Sequence, residues 1–430
     1  MIDDALATSR RFIPAPIFKA LNPAYHWTLS FLSAVRYGFP SRGLKVIAVT
    51  GTKGKSSTTE ILNAILEAAG KKTALSNTIR FKVGDDSRPN LHKMSMPGRF
   101  FMQHFLRRAV DAECQYAVIE MTSQGALTYR HRFIELDTFV FTNLSPEHIE
   151  AHGSYEKYAG AKVAIAENMS RSCKAVKTII VNDDDDESDR FLACHADRKV
   201  TYSIHDVEPY TVKPAGLEFD LNGRTVKSPL SGLFNLYNIL AAMTAAESEN
   251  IPQEAVIRAI EGFKDIPGRV EKVEAGQDFD VVVDYAHTPD SLEKLYKVFR
   301  PDPTAPRMAA SRLIAVLGGT GGGRDSWKRK EMGRLADLYC DEVILTDEDP
   351  YDEDPRKIVD DVAAGVTGKK PIIIMDRREA IREAIGRARK DDAILITGKG
   401  TDPYIMGPNG TKTPWSDARV AREELRSIRT

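Results

Sequence analysis

Residues Gly51 to Ser57, "GTKGKSS", bring together the groups that hold phosphate. Glycines let backbone N–H groups approach an anion, Lys55 supplies a positive charge, and Ser56 offers a hydroxyl to Mg²⁺ at a helix N-terminus. "VIAVT" before the loop reads as a strand and "TTEILNAILEAAG" after it as a helix, which is the context such a loop requires. The general spacing also asks for glycine at position 49, where Val49 stands. Two more residues could face a cation: Glu120 at the end of the apolar run "YAVIE", and His148 in "NLSPEH". Both lie at strand ends, where ligands of α/β sheets are held. Taken alone, a surface acid and a structural histidine are the commoner explanations of such residues.

The segments that must position these residues alternate in type. "KVIAVT", "YAVIEM", "DTFVFTNL" and "KTIIVN" are apolar strands separated by helical stretches, the pattern of a parallel sheet covered on both faces. Beyond the acidic run "NDDDDESD", short alternating segments and an "NG" turn between Lys199 and Leu230 predict β-hairpins that close this first large domain. The Pro-rich "FRPDPTAPRMAASR" is the best linker, and "LIAVLGG", "DEVILTD", "KPIIIM" and "DAILITG" after it predict a second α/β domain. The expected division is a short helical segment over 1–44, a central domain over 45–299 and a C-terminal domain over 300–430.

Composition narrows the class. At 430 residues the chain exceeds one core, so two to three domains are expected. Lys plus Arg is 60 and Asp plus Glu 61, which leaves no basic field to attract nucleic acid. Four scattered cysteines without a CxxC pair fit buried thiols in a reducing compartment. No leader is read at the N-terminus, and "YHWTLSFLSAVRYGF" is too short and too interrupted for a membrane span, so it is expected to be a helix packed on the first domain. These readings place the protein in the cytoplasm, with no transmembrane segment.

Further segments make the loop specific. "TGTKGKSS" resembles the "TGTNGKT" loop of the Mur ligases, the ATP-dependent amide-forming enzymes of peptidoglycan precursor synthesis. "IEMTSQG", "FTNLSPEHIEAHGSYEKYAGAK", "LSGLFNLYNILAA", "GRVEKVEAGQDFDVVVDYAHTPDSLE", "GRDSWKRKEMGRLA", "DEDPYDEDP" and "ITGKGTDPY" resemble family segments in the family's order, and "VDYAHTPDSLE" is most like the branch that adds the third amino acid. The resemblance implies a central P-loop ATPase domain followed by a Rossmann-like α/β domain. It also implies an acyl-phosphate mechanism: a carboxylate takes the γ-phosphoryl of ATP and an amine then attacks it.

Under that resemblance Lys55, Glu120, His148 and Lys162 are catalytic, and Ser56, Glu120, His148 and Lys162 hold Mg²⁺. Lys162, in "YEKYAGAKVAI", resembles the family lysine that CO₂ carbamoylates into an oxygen donor. Gly51, Thr52, Lys53, Gly54, Lys55, Ser56 and Ser57 line the phosphates. Asn238 resembles the reader of adenine, Arg269 and Asp284 the residues at phosphates and ribose, and His287 is expected beside them. The acceptor carboxylate is expected at Ser95 of "SMPG", Ser123 and Arg130, an arginine being a natural carboxylate clamp. Met96 and Gly98 depart from the family's "TTPD", and Gln124 stands where its "SSH" has His.

The incoming amino acid is expected on the last domain, at Arg324, Asp349, Tyr351, Gly398 and Asp402, with Lys328 nearby. Glu348, Asp349, Pro350 and Tyr351 replace the family's "DNPR", so the arginine that pairs with the distal carboxylate of diaminopimelate is absent. Thr401 and Asp402 replace its His and Glu. A pocket that stays acidic but loses its cation favours an amine-bearing side chain such as lysine. Only 44 residues precede the first strand, where this branch carries a separate UDP-gripping domain. The acceptor is therefore expected to be a UDP-MurNAc dipeptide, with UDP bound loosely or by a partner protein, or a related carboxylate. A folylpolyglutamate- or cyanophycin-synthetase-like ligase with an acceptor lacking UDP is the alternative, and a non-catalytic nucleotide-binding partner of a ligase is the third.

Overall fold

The computed structural model describes the backbone of residues 15–147, 152–300, 302, 312–323 and 326–427, with side chains from residue 22 onward. The chain forms two units, Met1–Asp206 with Tyr237–Ile260, and Val207–Leu236 with Glu261–Thr430.

In the first unit helix α1 (Ala15–Tyr37) precedes β1 (Lys45–Thr50), α2 (Lys55–Ala68), β2 (Thr73–Ser76), β3 (Arg80–Val83), β4 (Asp86–Pro89) and α3 (Arg99–Asp111). There follow β5 (Tyr116–Glu120), α4 (Ser123–Leu127), β6 (Thr138–Phe141), α5 (Tyr155–Glu167), β7 (Thr178–Asn182), α6 (Ser188–Leu192) and β8 (Arg198–Tyr202). The eight strands make one sheet in the order β4-β3-β2-β5-β1-β6-β7-β8. From β2 to β8 the neighbours run parallel, and β3 and β4 add an antiparallel edge. β5, β6 and β7 are buried along their whole length, which is why their sequences are unbroken apolar runs rather than alternating ones. On one face Phe105, Leu106 and Ala109 of α3 and Tyr158, Ile165 and Ala166 of α5 pack on Val46, Ala48, Phe139 and Phe141. Phe141 stacks on Phe191 with centroids 3.9 Å apart, and burying each such ring contributes roughly 1.5–3 kcal/mol.

α1 packs on α3, as its apolar spacing requires, and Trp27 stacks on Phe31 while meeting Phe133 edge-on. Among the described helices none is long and apolar enough to cross a membrane. Cys114, Cys194 and Cys340 are buried, but Cys173 is exposed, contrary to the expectation of four buried thiols.

The second unit contains a three-stranded antiparallel sheet of β9 (Tyr210–Lys213), β10 (Gly216–Leu221) and β11 (Arg224–Ser228). Its "NG" turn has Asn222 and Gly223 both at positive φ, and Asp220 Oδ1 accepts a hydrogen bond from Gly223 N. α7 (Leu233–Ser248) and α8 (Gln253–Glu261) then lead through the first unit. β12 (Glu271–Lys272), β13 (Asp280–Asp284), α9 (Pro289–Phe299), β14 (Leu313–Leu317), α10 (Trp327–Tyr339), β15 (Glu342–Leu345), α11 (Pro355–Ala363), β16 (Ile372–Ile373), α12 (Arg377–Arg387), β17 (Ala393–Thr397), β18 (Tyr404–Met406), β19 (Lys412–Pro414) and α13 (Asp417–Ser427) complete it. Its main sheet has the order β12-β13-β17-β14-β15-β16, parallel from β13 onward. Leu295, Leu335 and Val362 cover one face and Ile381, Ile385 and Val420 the other.

Two expectations about division are corrected. The hairpins do not close the first domain but belong to the second unit, and the expected boundary at residue 300 cuts through a sheet. β13 lies before that boundary yet pairs with β17 residue for residue, Val281 opposite Ile394 and Val283 opposite Ile396. A Pro-rich loop marks a break in local structure, whereas membership of a domain is decided by which strands share a ladder.

Candidate nucleotide and ligation site

β1 lies between β5 and β6, so the loop that follows it opens at the C-terminal edge of the sheet beside the end of β5. In register, Val49 pairs with Glu120. Gly54 is the N-cap of α2 at φ 82°, and an added Cβ would stand 2.2 Å from Asn238 Oδ1, so only glycine admits that side chain. The structure thereby brings Asn238, of α7, directly onto the loop. Ser56 Oγ donates to Glu120 Oε2 at 2.7 Å, and Thr78 donates to the same carboxylate from its N at 3.0 Å and from Oγ1 at 3.0 Å. The hydroxyl and carboxylate oxygens sit at a helix N-terminus and are hard donors, so this set fits a Mg²⁺ ion. Lys55 Nζ donates to Thr52 O at 2.8 Å, and Lys53 pairs with Glu147 at 2.7 Å. Ser57 lies buried in the first turn of α2. His148 lies outside the described residues.

Lys162 reaches the same loop from α5. Ser154 caps that helix by accepting from Lys157 N, and Tyr158, Lys162, Ile165 and Ala166 form its buried face at helical spacing. Lys162 Nζ donates to Gly51 O at 2.6 Å and lies 4.8 Å from the centroid of the Tyr158 ring. Burial, and secondarily the charge of Lys55, hold the amine well below its ordinary pKa, against the opposing pull of Glu147 and Glu120. A shift in this direction favours the unprotonated amine, the nucleophilic form. Tyr158 is tied to the loop in turn, its OH 2.9 Å from Thr52 Oγ1.

A second cluster lies around residues 95–130 of the same unit. Ser95 is buried, with its carbonyl accepting from Ser76 Oγ at 3.0 Å. Arg130 donates to the carbonyl of Met96, and a Cβ on Gly125 would stand 2.6 Å from Met96 Sδ. Ser123 opens α4, whose N-cap Thr122 accepts from Gly125 N. Ser95, Ser123 and Arg130 are thus carried by segments in mutual contact. Arg99, buried at the start of α3 and hydrogen-bonded to His26 of α1, adds a cation that the sequence reading missed.

Next to Arg130, His131 is buried with neither ring nitrogen hydrogen-bonded, and burial, helped by Arg132, pushes its pKa down to about 3. An unfolded imidazole titrates near 6.5, so between these values the unfolded chain holds the extra proton. The stability this neutral ring contributes is therefore complete above pH 6.5 and is lost as the pH falls towards 3, by up to about 1.4 kcal/mol per pH unit. His131→Phe is expected to flatten that dependence in urea unfolding between pH 7 and 5. An unchanged slope would overturn this reading.

The remaining nucleotide candidates lie together in the second unit. Asp284 ends β13 and accepts from Ala286 N at 2.7 Å and Val270 N at 2.8 Å. The Arg269 guanidinium lies 4.4 Å from the centroid of Tyr285, and His287 Nδ1 is 2.7 Å from Tyr285 O.

The residues expected at the amino acid are divided by the structure. Lys399 is fully buried, with Nζ 2.7 Å from Asp349 Oδ1, 2.6 Å from Tyr404 O and 3.6 Å from Asp402 Oδ2. Asp349 Oδ1 also accepts from Met406 N at 2.8 Å. Through Oδ1 this carboxylate ties Lys399 and the backbone of Met406 together, which gives Asp349 a structural part in the fold. Its neighbour Glu348 is different: buried at the C-terminal edge of the sheet, it receives Thr320 Oγ1 on Oε1 at 2.8 Å while Oε2 has no hydrogen bond. Burial pushes its pKa up, opposed by Arg377. Gly398, at φ 103°, makes room for it, since a Cβ there would lie 2.2 Å from Glu348 Oε2. Tyr351 donates its backbone N to Met406 O, and its ring covers Gly322. Lys328 is buried, Arg329 beside it is tied to Glu353 and Asp361, and Arg324 lies outside the described residues. Glu348 carried no signal beyond its place in a substituted motif. Lys399 stood in the quoted "GKG", where a buried partner for an acid could have been suspected.

A phosphate loop on one parallel sheet, followed by a second parallel-sheet unit, is the arrangement of a nucleotide-binding α/β protein. The Mur ligase middle domain matches residues 49–246 and the Mur ligase glutamate ligase domain matches residues 268–400. The chain belongs to the Mur ligase family, whose members use ATP and Mg²⁺. It is 36% identical over 441 residues to a UDP-N-acetylmuramyl-tripeptide synthetase of Roseiflexus sp. (strain RS-1), covering 97% of this chain and 85% of that protein. It is 35% identical over 411 residues to a UDP-N-acetylmuramoyl-L-alanyl-D-glutamate–2,6-diaminopimelate ligase of Geobacillus kaustophilus (strain HTA426), covering 93% and 82%. A solved structure of a ligase with that same diaminopimelate-ligase name superposes with a TM-score of 0.61 at 29% identity, covering 90% of this chain and 79% of that one.

Proposed function

We propose that the chain joins an amino acid to the carboxylate of UDP-MurNAc-L-Ala-D-Glu in the cytoplasm, adding the third residue of the peptidoglycan peptide. The observation that carries this reading is the meeting of Ser56, Glu120 and the buried amine of Lys162 at one phosphate loop. Gly51 to Ser57 cradle the triphosphate, with Lys55 as the fixed charge, and Asn238 reads the base. Ser56, Glu120, a carbamoylated Lys162 and His148 hold Mg²⁺, which when bound supplies charge neutralisation at the phosphates. Ser95, Ser123 and Arg130 orient the acceptor carboxylate so that its oxygen attacks the γ-phosphorus and ADP leaves. The amine of the amino acid then attacks the acyl carbon and phosphate leaves. Arg269, Asp284 and His287, which lie together in the second unit, are the remaining candidates for nucleotide binding.

For the incoming amino acid, Glu348 Oε2 and Asp402 are the acceptors offered to an ammonium group, and Tyr351 gives no charge for a distal carboxylate. This favours lysine or a similar amine-bearing residue over diaminopimelate. Mass spectrometry of the product formed from UDP-MurNAc-L-Ala-D-Glu, ATP and mixed amino acids tests both statements. A single added diamino acid of the lysine type is expected. Release of ADP with carboxylates that lack UDP, and none with the UDP-linked acceptor, would overturn it in favour of a folylpolyglutamate- or cyanophycin-synthetase-like ligase.

A further inference from the structure

His152 lies shortly before α5, outside the set of groups that hold the phosphate loop. Its side chain is buried, and neither ring nitrogen makes a hydrogen bond. A buried neutral imidazole carries one N–H donor and one bare acceptor, and leaving both unused is rare enough to require a reason. The ring stands edge-on to Tyr158, with centroids 5.2 Å apart at 77°. The Tyr158 ring also carries Lys162 Nζ, 4.8 Å from its centroid, and its OH meets Thr52 of the phosphate loop. One tyrosine therefore holds His152 and Lys162 against the same wall. Burial, the largest cause, lowers the pKa of His152, which favours the neutral ring with one N–H donor.

What the pair lacks is an anion. When the neutral Lys162 amine attacks CO₂, an N–C bond forms, one C–O π pair moves onto oxygen, and one N–H proton leaves to solvent. The remaining N–H can keep its bond to Gly51 O, while two new anionic oxygens need partners. We propose that His152 is the positioning residue for this carbamate, donating its ring N–H to one oxygen and leaving the other for the cation. This rests on the carbamate reading of Lys162 given above. A charge-assisted bond of this kind stabilises the modified lysine and fixes its orientation.

The test uses the full chain in carbon-13 bicarbonate, reading carbamate by NMR as total inorganic carbon is raised. His152→Phe keeps a ring against Tyr158 without a donor, and His152→Gln keeps an N–H donor. His152→Phe is expected to need about tenfold or more inorganic carbon for half-occupancy, and His152→Gln to stay within about threefold of the parent. His152→Ala should behave as His152→Phe if it folds. Carbamoylation of His152→Phe at the parent's concentration would overturn the proposal while leaving the carbamate intact, as would equal losses in His152→Phe and His152→Gln. Absence of a Lys162-dependent signal in the parent would overturn the carbamate itself, and the two failures are thus told apart.

Discussion

Lys162→Ala is expected to lower the ligation rate on the order of 10²–10³-fold or more, because it removes a charged oxygen donor from a preorganised site. Folding should survive, since what is lost is a buried amine whose main polar contact is Gly51 O. The change leaves space on the buried face of α5, so a short carboxylic acid added to the assay is expected to restore part of the rate by supplying the missing oxygens. Steady-state ADP release with and without the added acid measures this. Full activity of Lys162→Ala would remove the residue from the chemistry, and loss of activity with a collapse in thermal stability would make it a structural residue instead.

The second large effect is on stability. Asp349→Ala is expected to destabilise the protein by about 3–5 kcal/mol, since it leaves the ammonium of Lys399, wholly buried, without its closest carboxylate. Asp402, 3.6 Å away, offsets only part of that loss. Glu348→Gln should behave in the opposite way. Burial raises the pKa of its carboxyl, so a neutral amide of the same shape is expected to cost little in folding, while KM for the amino acid rises about 10- to 100-fold. Denaturant unfolding and amino-acid titrations on the same two variants decide between the roles. A stable Asp349→Ala with impaired amino-acid binding, paired with an unaffected Glu348→Gln, would return Asp349 to the ligand.

These two variants mark where sequence reading reached its limit. The segment "TDEDPYDEDP" shows acids in place of a family motif, but not which acid points to a buried lysine fifty residues later. That choice rests on β15 and β17 presenting their C-terminal ends on the same edge of the sheet. The same holds for Arg99 and His26, which meet because α1 packs on α3. His152 was passed over because a histidine four residues beyond His148 has no spacing signature, and its significance lies in what its nitrogens lack.

The sequence by itself determined the apolar strands, the helices between them, the type of the loop at Gly51 to Ser57, and the order of segments shared with the Mur ligases. These are local properties: hydrophobic period, glycine and charge at fixed offsets, each written within a dozen residues. Only the tertiary structure decided that β13 joins the second sheet, that Glu120 stands beside Ser56 and Lys162 against Gly51, and that Asp349 is bound while Glu348 keeps an open oxygen. Strand pairing and burial act between residues far apart in the chain, and it is burial that pulls a lysine's pKa down and makes an ion pair a structural element.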